Sequence, residues 1–384
     1  MSVGTAAAIG ELMAPRFGFV DPSRFPDEAF DLYSIAAFDS GIPEVEVGGN
    51  IRSTKQVVRP GDVLLSGIVP HIRRAWVVNK DRGRRLIASG EWIVFRSEKF
   101  YPDYLRHALV ADRFYAQFMR TVSGIGGSWL RARPAQITDI EIFLPPLPEQ
   151  QRIAKLLEQS DHLRRIRHHA LELSDAFLPA AFVELFGSLS ANDRGWRVVP
   201  FKNVCAIDAP LVDPRKTQYR SLPHIGGDSI ESVTGRLLNY RTAAEDGLIS
   251  VKFLIGSEHV LFSRIRPKLR KVSTPNMVAL CSADIYPIRA KTGDLNFNYL
   301  TSFLRSDYFS RIVSNLAESR TNIPKVNREE LADIPVFLPP EKDQRKFASL
   351  AQRHEGLLAR QREALRQADH LFQTLLHCAF EPAA

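Results

Sequence analysis

The residues in this chain best suited to chemistry are basic, and they come in matched clusters. His71, Arg73, Arg74, Lys80, Arg82, Arg84 and Arg85 crowd one stretch, while Arg264, Arg266, Lys268, Arg270 and Lys271 crowd another. No acidic residue falls between Glu258 and Asp284. A second basic zone follows each cluster: Arg131 and Arg133 after the first, and Arg320, Lys325 and Arg328 after the second. His71 aligns with Lys268, Arg73 with Arg270, and Arg74 with Lys271. Side chains of this kind neutralise phosphates and release counterions, so binding through them weakens steeply with salt. An arginine can instead take a guanine edge with two hydrogen bonds in the major groove. A single basic run is usually a solvated face. Recurrence at corresponding positions is what favours a nucleic-acid surface, and it does not divide base contacts from phosphate contacts.

A chain that cut or modified DNA by itself would also carry a catalytic set. The sequence contains no GxxxxGK[ST] phosphate loop, no HExxH pair, no Gly-x-Ser-x-Gly and no Asn-Pro-Pro-aromatic motif of the amino-methyltransferase kind. No glycine fingerprint follows a strand in the way needed to hold a dinucleotide or S-adenosylmethionine. Gly124-Ile125-Gly126-Gly127 has the look of a phosphate cradle but lacks a βαβ setting. His162, His168 and His169 lie among arginines on one expected helix, where a solvated face outweighs metal ligation. Cys205, Cys281 and Cys378 are far apart and form no CxxC pair, which argues against structural zinc and a disulfide framework. No residue is assigned to catalysis or to a metal.

The elements that must position the basic clusters repeat. Ile140-Glu141-Ile142-Phe143-Leu144-Pro145-Pro146 returns about half the chain later as Ile334-Pro335-Val336-Phe337-Leu338-Pro339-Pro340, and each copy opens a long, charge-dotted amphipathic segment. Val63-Leu64-Leu65-Ser66 answers to Val260-Leu261-Phe262-Ser263, and Tyr104-Leu105 to Tyr299-Leu300. Leu178-Pro179-Ala180-Ala181-Phe182 answers to Leu376-His377-Cys378-Ala379-Phe380. Solenoid repeats have periods of about 20–50 residues; a period near half of 384 residues means two copies of a whole domain plus a helix. The punctuation persists while the side chains diverge, as expected of one scaffold carrying two specificities. The N-terminal start lacks a counterpart to Trp196-Arg197-Val198, and copy one has Gly67-Ile68-Val69 where copy two has Arg264-Ile265-Arg266.

Short β-rich runs such as Asp62–Ser66 and Glu91–Phe95 are bounded by Gly, Pro and Ser, and a helix is expected from Pro102 to about Met119. A first long helix is expected from about Pro148, a residue suited to a helix start, to Phe186, and a second from about Lys342 to Phe380. Each carries one apolar stripe three or four residues apart. At 1.5 Å per residue two ~38-residue helices each reach roughly 55–60 Å, too long to lie on one small core, so their stripes are expected to cover each other. The second is about one turn longer between its Leu-Pro-Pro and its Ala-Phe. The expected fold class is α+β: two duplicated mixed α/β domains, residues 1–144 and 188–338, separated by two long antiparallel coiled-coil helices, residues 145–187 and 339–384, with a pseudo-twofold. A hydrophobic content of 45% supports real cores. A net charge of +8 fits an acidic partner. No apolar run approaches the ~18–20 residues of a membrane helix, and the reading is cytoplasmic.

The run Leu144-Pro-Pro-Leu-Pro-Glu-Gln-Gln-Arg-Ile153 leading into a long helix resembles the hallmark of specificity subunits of type I restriction–modification systems. Leu338-Pro-Pro-Glu-Lys-Asp-Gln-Arg-Lys-Phe347 is a looser version of it. Val260-Leu-Phe-Ser-Arg-Ile-Arg-Pro-Lys-Leu-Arg-Lys271 and Arg305-Ser-Asp-Tyr-Phe309 resemble further stretches typical of that family's target-recognition domains. The resemblance implies that each half reads one part of a bipartite double-stranded DNA target and that the helices set the unread spacer like a ruler. It implies two modification (methyltransferase) subunits and restriction subunits as partners. S-adenosylmethionine, ATP and Mg are then expected on those partners, and no cofactor in this chain. Two other classes stay open at this level: a self-contained methyltransferase or nuclease, and a basic coiled-coil scaffold that binds nucleic acid or protein without sequence specificity.

Overall fold

The computed structural model describes residues 4–15, 18–79, 82–122, 131–291, 293–318 and 323–380. The chain divides into two compact units, one formed by Met1–Arg167 with Ala364–Ala384 and the other by His168–Glu363.

In the first unit, strand Thr5–Ala8 pairs antiparallel with Glu141–Leu144, Thr5 opposite Leu144. A three-stranded sheet runs in the order Ala75–Val77, Val63–Ser66, Trp92–Phe95. A five-stranded sheet runs in the order Phe19–Val20, Lys55–Val57, Arg85–Ala88, Ala29–Tyr33, Glu44–Val47, with its one parallel pair between Ala29–Tyr33 and Arg85–Ala88. The three-stranded sheet has both faces covered, which explains its unbroken apolar runs. Successive side chains point to opposite faces. Val63, Leu65, Ile93 and Phe95 enter a core with Tyr104, Leu105 and Phe114, while Leu64, Val94, Trp76 and Trp92 enter another with Tyr33, Leu86 and Ala88.

The second unit repeats this topology. Strand Arg197–Pro200 pairs with Pro335–Leu338, Arg197 opposite Leu338. The five-stranded sheet runs Leu211–Val212, Lys252–Ile255, Ala279–Cys281, Pro223–Ile225, Arg241–Thr242, again with a single parallel pair in the corresponding place. The smaller sheet has the order Cys205–Ile207, Ile285–Ala290, Val260–Ser263, Val272–Ser273. Its extra strand corresponds in the first unit to the isolated bridge between Met13 and Phe95. Thr5–Ala8 is therefore the counterpart of Arg197–Pro200, correcting the expectation that the N-terminal start had none. Pairing of that strand is made by backbone groups, so three alanines serve where the other copy has Val198 and Val199.

The two long helices run Leu147–Phe186 and Glu341–Phe380, 40 residues each. The turn by which the second exceeds the first before its Ala-Phe is matched by the first continuing past Phe182 to Phe186. Pro146 and Pro340 accept the first helical N–H groups through their carbonyls, and Glu149, Glu341 and Asp343 place negative charge in the first turns, where the helix dipole favours it. The first helix stops at Gly187, whose φ of 74° is left-handed. A β-carbon there would also meet the Asp193 carboxylate, which would have to move aside.

Each unit contains the start of one long helix packed on the end of the other. In the second unit Phe182 and Phe186 of the first helix meet Phe347 of the second, ring centroids 5.5 Å apart in both cases. One step further along, the His354 ring stacks on Phe177 at 5.2 Å and its Nε2 donates to the Ser174 carbonyl at 2.9 Å. In the first unit Ala154 and Leu157 share a core with Phe372, Leu376 and Phe380, and the Arg164 guanidinium lies 4.7 Å from the Phe372 centroid. Residue numbers rise on one helix as they fall on the other, so the packing within each unit is antiparallel. Among the described residues no helix is long and apolar enough to cross a membrane.

Candidate nucleic-acid interface

The two basic stretches of each half, separate in sequence, converge in space. In the second unit Ile265 forms a bridge with Lys325. Arg264 donates its N–H to the Asp284 carbonyl at 3.0 Å, and its own carbonyl accepts from Val326 N–H at 3.0 Å. Arg264 and Arg328 both reach over Tyr286, with guanidinium carbons 5.2 and 5.7 Å from the ring centroid. Arg266 is exposed, has a left-handed backbone (φ 48°) and its side chain makes no hydrogen bond or ion pair among the described residues; its N–H is held by the Pro324 carbonyl at 2.8 Å. A non-glycine residue held there signals backbone strain. Lys325 is exposed beside it. In the first unit Ile68 bridges Arg131, Gly67 accepts from Ala132 N–H at 2.8 Å, and Val69 has the same left-handed twist (φ 46°). The turn is duplicated, while its basic residues occur only in copy two.

Several of the basic side chains are engaged within their own half. Arg73 donates to the Val110 carbonyl at 2.9 Å, pairs with Asp112 at 2.6 Å and lies 4.1 Å from the Tyr115 centroid. Its counterpart Arg270 donates to the Arg305 carbonyl at 3.1 Å and pairs with Asp307. Each arginine takes a carbonyl at a junction between two helices. The single helix expected over Pro102 to Met119 is accordingly two, Pro102–Ala108 and Asp112–Arg120, as Phe297–Arg305 and Asp307–Glu318 are in copy two. Arg84 pairs with the buried Asp31 at 3.2 Å, Arg85 with Glu28 at 2.9 Å, Arg131 with Glu91 at 3.1 Å, and Lys268 with Glu318. Arg74 lies 3.9 Å from Asp39, and the Lys271 ammonium donates to the Gly227 carbonyl at 2.6 Å. His71, Arg82 and Arg133 are exposed with no hydrogen-bond or ion-pair partner among the described residues, although the Arg82 charge acts on Tyr33. Lys80, Arg320 and the Gly124–Gly127 run lie outside the described residues.

What fixes these surfaces to the long helices was not singled out in the sequence. The Gln150 amide oxygen accepts from Tyr101 N–H at 2.7 Å, and its nitrogen donates to the carbonyls of Lys99 (3.1 Å) and Pro145 (2.8 Å). Gln344 repeats this with Asn296 N–H (2.8 Å) and the carbonyls of Asp294 (3.0 Å) and Pro339 (2.8 Å). Each glutamine thereby ties the start of a long helix to the start of the helix that follows the sheets. The Tyr104 hydroxyl donates to Phe143 O at 2.8 Å and the Tyr299 hydroxyl to Phe337 O at 2.9 Å. Gln150 and Gln344 stand at matching places within the repeated motif, and that was the available signal.

Other chemistry is sparse. Among the described residues no group of three or more His, Cys, Asp or Glu side chains could hold a metal. Burial pushes the thiols of Cys205 and Cys281 up to about 12, so they stay protonated and inert, while Cys378 is exposed. Burial, reinforced by the Arg106 charge, pushes His107 down to about 3. His162, His168 and His169 are exposed on the first long helix.

No family model matches the chain. Over 298 residues it is 31% identical to the type I restriction enzyme EcoDI specificity subunit of Escherichia coli, an alignment that takes in 68% of this chain and 66% of that protein. The chain thus spans just under two thirds of the length of this curated relative. Its fold is similar to that of the type I restriction–modification system S subunit from M. genitalium, with a TM-score of 0.63 at 11% identity over 100% of this chain and 97% of the other. It is also similar to a chain in a structure concerned with complex assembly and conformational transition of the type I R-M system, with a TM-score of 0.60 at 23% identity, covering 98% and 97%. At such identities these two structures bear on fold alone.

Proposed function

The chain belongs to the specificity subunits of type I restriction–modification systems, and from that premise we propose that it is the non-catalytic component that reads a bipartite DNA target for partner enzymes. Each half contacts one part of the target. Adenine-N6 methyl transfer is the work of two methyltransferase subunits that bind S-adenosylmethionine, and cleavage that of restriction subunits using ATP and Mg. The observation that carries this reading is the duplicated sheet order with divergent surfaces: one turn built twice, ending in Gly67 and Val69 in one half and in Arg264 and Arg266 in the other.

The electrostatics support it. Exposed ion pairs such as Arg131–Glu91 and Lys268–Glu318 are worth only about 0–1 kcal/mol, so a phosphate can replace the carboxylate at little cost. Among the described residues Arg266, Arg133, Arg82 and His71 have no hydrogen-bond or ion-pair partner. The buried pair of Arg84 with Asp31, and the junction clamps Arg73 and Arg270, are better suited to holding the loops in shape. The exposed aliphatic residues of the long helices, including Leu156, Leu163 and Ile166 in the first unit and Leu173 and Val183 in the second, are candidate docking surfaces for partner subunits. The helix length would set the unread spacer.

Methylome sequencing of the host, with and without the gene for this chain, tests the proposal. A split adenine-methylated motif that disappears on deletion is expected. Persistence of every methylated motif, or methyl transfer by the purified chain alone, refutes it.

A further inference from the structure

The second half contains a loop that is held firmly and yet presents apolar side chains to water. Residues 243–251 lead from strand Arg241–Thr242 to strand Lys252–Ile255. The His224 Nδ1 lies 2.7 Å from the Asp246 carboxylate. Glu245 accepts from the N–H and hydroxyl of Thr242 at 2.8 and 2.9 Å. The buried ammonium of Lys252 donates to the Ser250 carbonyl at 3.1 Å and to its hydroxyl at 2.5 Å. Leu248 N–H donates to Ala243 O, and Gly247 N–H to Ala244 O across a left-handed glycine (φ 58°). With the backbone so braced, Ile249 is 79% exposed and Val251 53%. Ile249 is the most exposed large hydrophobic residue among those described. A lone exposed aliphatic needs no special account. One on a loop held by three separate side-chain anchors does.

Its surroundings suggest what it meets. The sheet register brings the end of Leu211–Val212, the start of Lys252–Ile255, and the ends of Ala279–Cys281 and Pro223–Ile225 to one edge. The loop after Val212 carries exposed Lys216 and Arg220. The basic turn is tied to the same edge: Lys271 bonds Gly227 O, just past Ile225, and Arg264 N–H bonds Asp284 O, just past Cys281. Ile249 lies between Leu248, whose N–H reaches Ala243 beside Leu222 at the start of Pro223–Ile225, and Lys252, which begins its strand at the end where the basic turn attaches. In the first half, strand Lys55–Val57 occupies the same place in the sheet order as Lys252–Ile255. Three residues before each strand stand Arg52 and Ile249. Arg52 is exposed and its side chain has no partner among the described residues.

We propose that this position reads a base in both halves, Ile249 packing on the 5-methyl group of thymine and Arg52 donating to O6 and N7 of guanine. These are the groups by which an aliphatic and a guanidinium side chain distinguish base pairs in the major groove. One scaffold position then accounts for two specificities through a single change of chemistry. The inference rests on the DNA-reading function proposed above.

The full chain, assembled with its methyltransferase subunits, is used to select from a randomised duplex library and from the same library copied with dUTP in place of dTTP. Wild type should enrich a split motif with a thymine in one half-site, and that preference should weaken about fourfold in the uracil library, the factor one buried methyl group is worth. Ile249→Ala should lose the same preference and respond equally to thymine and uracil, leaving the other half-site unchanged. Arg52→Ala should relax one guanine in that other half-site. The assignment is overturned if Ile249→Ala keeps the wild-type thymine-to-uracil ratio, or if wild type shows no dependence on the methyl group. Retained selection at the remaining base positions of the same half-site shows that the unit carrying the substitution is folded. If wild type enriches no split motif at all, the DNA-reading function fails and the base assignment goes with it.

Discussion

Replacing Gln344 by alanine should destabilise the second unit more than almost any other polar substitution. The side chain is 2% exposed and satisfies three backbone groups: Asn296 N–H and the carbonyls of Asp294 and Pro339. A buried polar group stripped of its partner costs about 1–3 kcal/mol. Carbonyls, with two lone pairs, tolerate the loss better than an N–H does. Taking about 2–3 kcal/mol for Asn296 N–H and about 1 kcal/mol for each carbonyl gives about 4–5 kcal/mol, a large share of the roughly 5–15 kcal/mol that stabilises a typical domain. Unfolding of a chain with two units need not be two-state, so hydrogen–deuterium exchange is the better assay. Amides in Phe297–Arg305 and the first turns of Glu341–Phe380 should exchange at least about a hundredfold faster, the factor corresponding to about 3 kcal/mol. Gln344→Glu supplies a pH signature. Its carboxylate can still accept from Asn296 N–H but faces two carbonyls with no hydrogen to give them, which raises its folded-state pKa above the unfolded value. The variant is then destabilised at neutral pH and regains stability as pH falls through that raised pKa. A change below about 0.5 kcal/mol in Gln344→Ala, or a Gln344→Glu variant with no such pH dependence, would refute the view that the repeated motif exists to position this amide. Gln150→Ala makes the same test in the first unit.

Further outcomes follow from individual side chains. His107 is neutral when folded down to about pH 3 but takes up a proton near pH 6.5 when unfolded, so stability should fall as pH drops below 6.5, by at most about 1.4 kcal/mol per unit; His107→Phe should flatten the plot of urea midpoint against pH, and an unchanged slope would remove His107 as the cause. In the folded chain a thiol reagent should modify Cys378 while sparing Cys205 and Cys281, as mass spectrometry of labelled peptides can show. Arg270→Ala should lower stability by about 1–2 kcal/mol through loss of the Arg305 carbonyl and Asp307 contacts; an unaltered denaturation midpoint would mean that the clamp is idle. Arg266→Ala should leave stability within about 0.5 kcal/mol yet weaken DNA binding and reduce the slope of log affinity against log salt by about one. Unchanged affinity and an unchanged salt slope would take Arg266 out of the interface.

Much of this protein was legible in its sequence because the relevant information is local. Two long helices follow from apolar stripes and prolines that recur along one stretch of chain, and the duplication follows from punctuation that survived in both copies. Even the alignment of Arg73 with Arg270 could be read directly, since it depends only on order along the chain. Which basic residues stay available was decided by folding. Arg73 meets Asp112, Arg84 meets Asp31, and Lys268 meets Glu318 across gaps of many residues that no local pattern encodes. At the break between Ala108 and Asp112 the Val110 carbonyl likewise takes its partner from a distant arginine. Strand Thr5–Ala8 pairs as Arg197–Pro200 does without resembling it, since ladder hydrogen bonds use backbone atoms common to every residue. Periodicity and charge clusters are properties of neighbours in the chain, whereas the pairing of a given charge, or the bracing that leaves Ile249 in water, depends on partners that only the packed sheets and helices bring within reach.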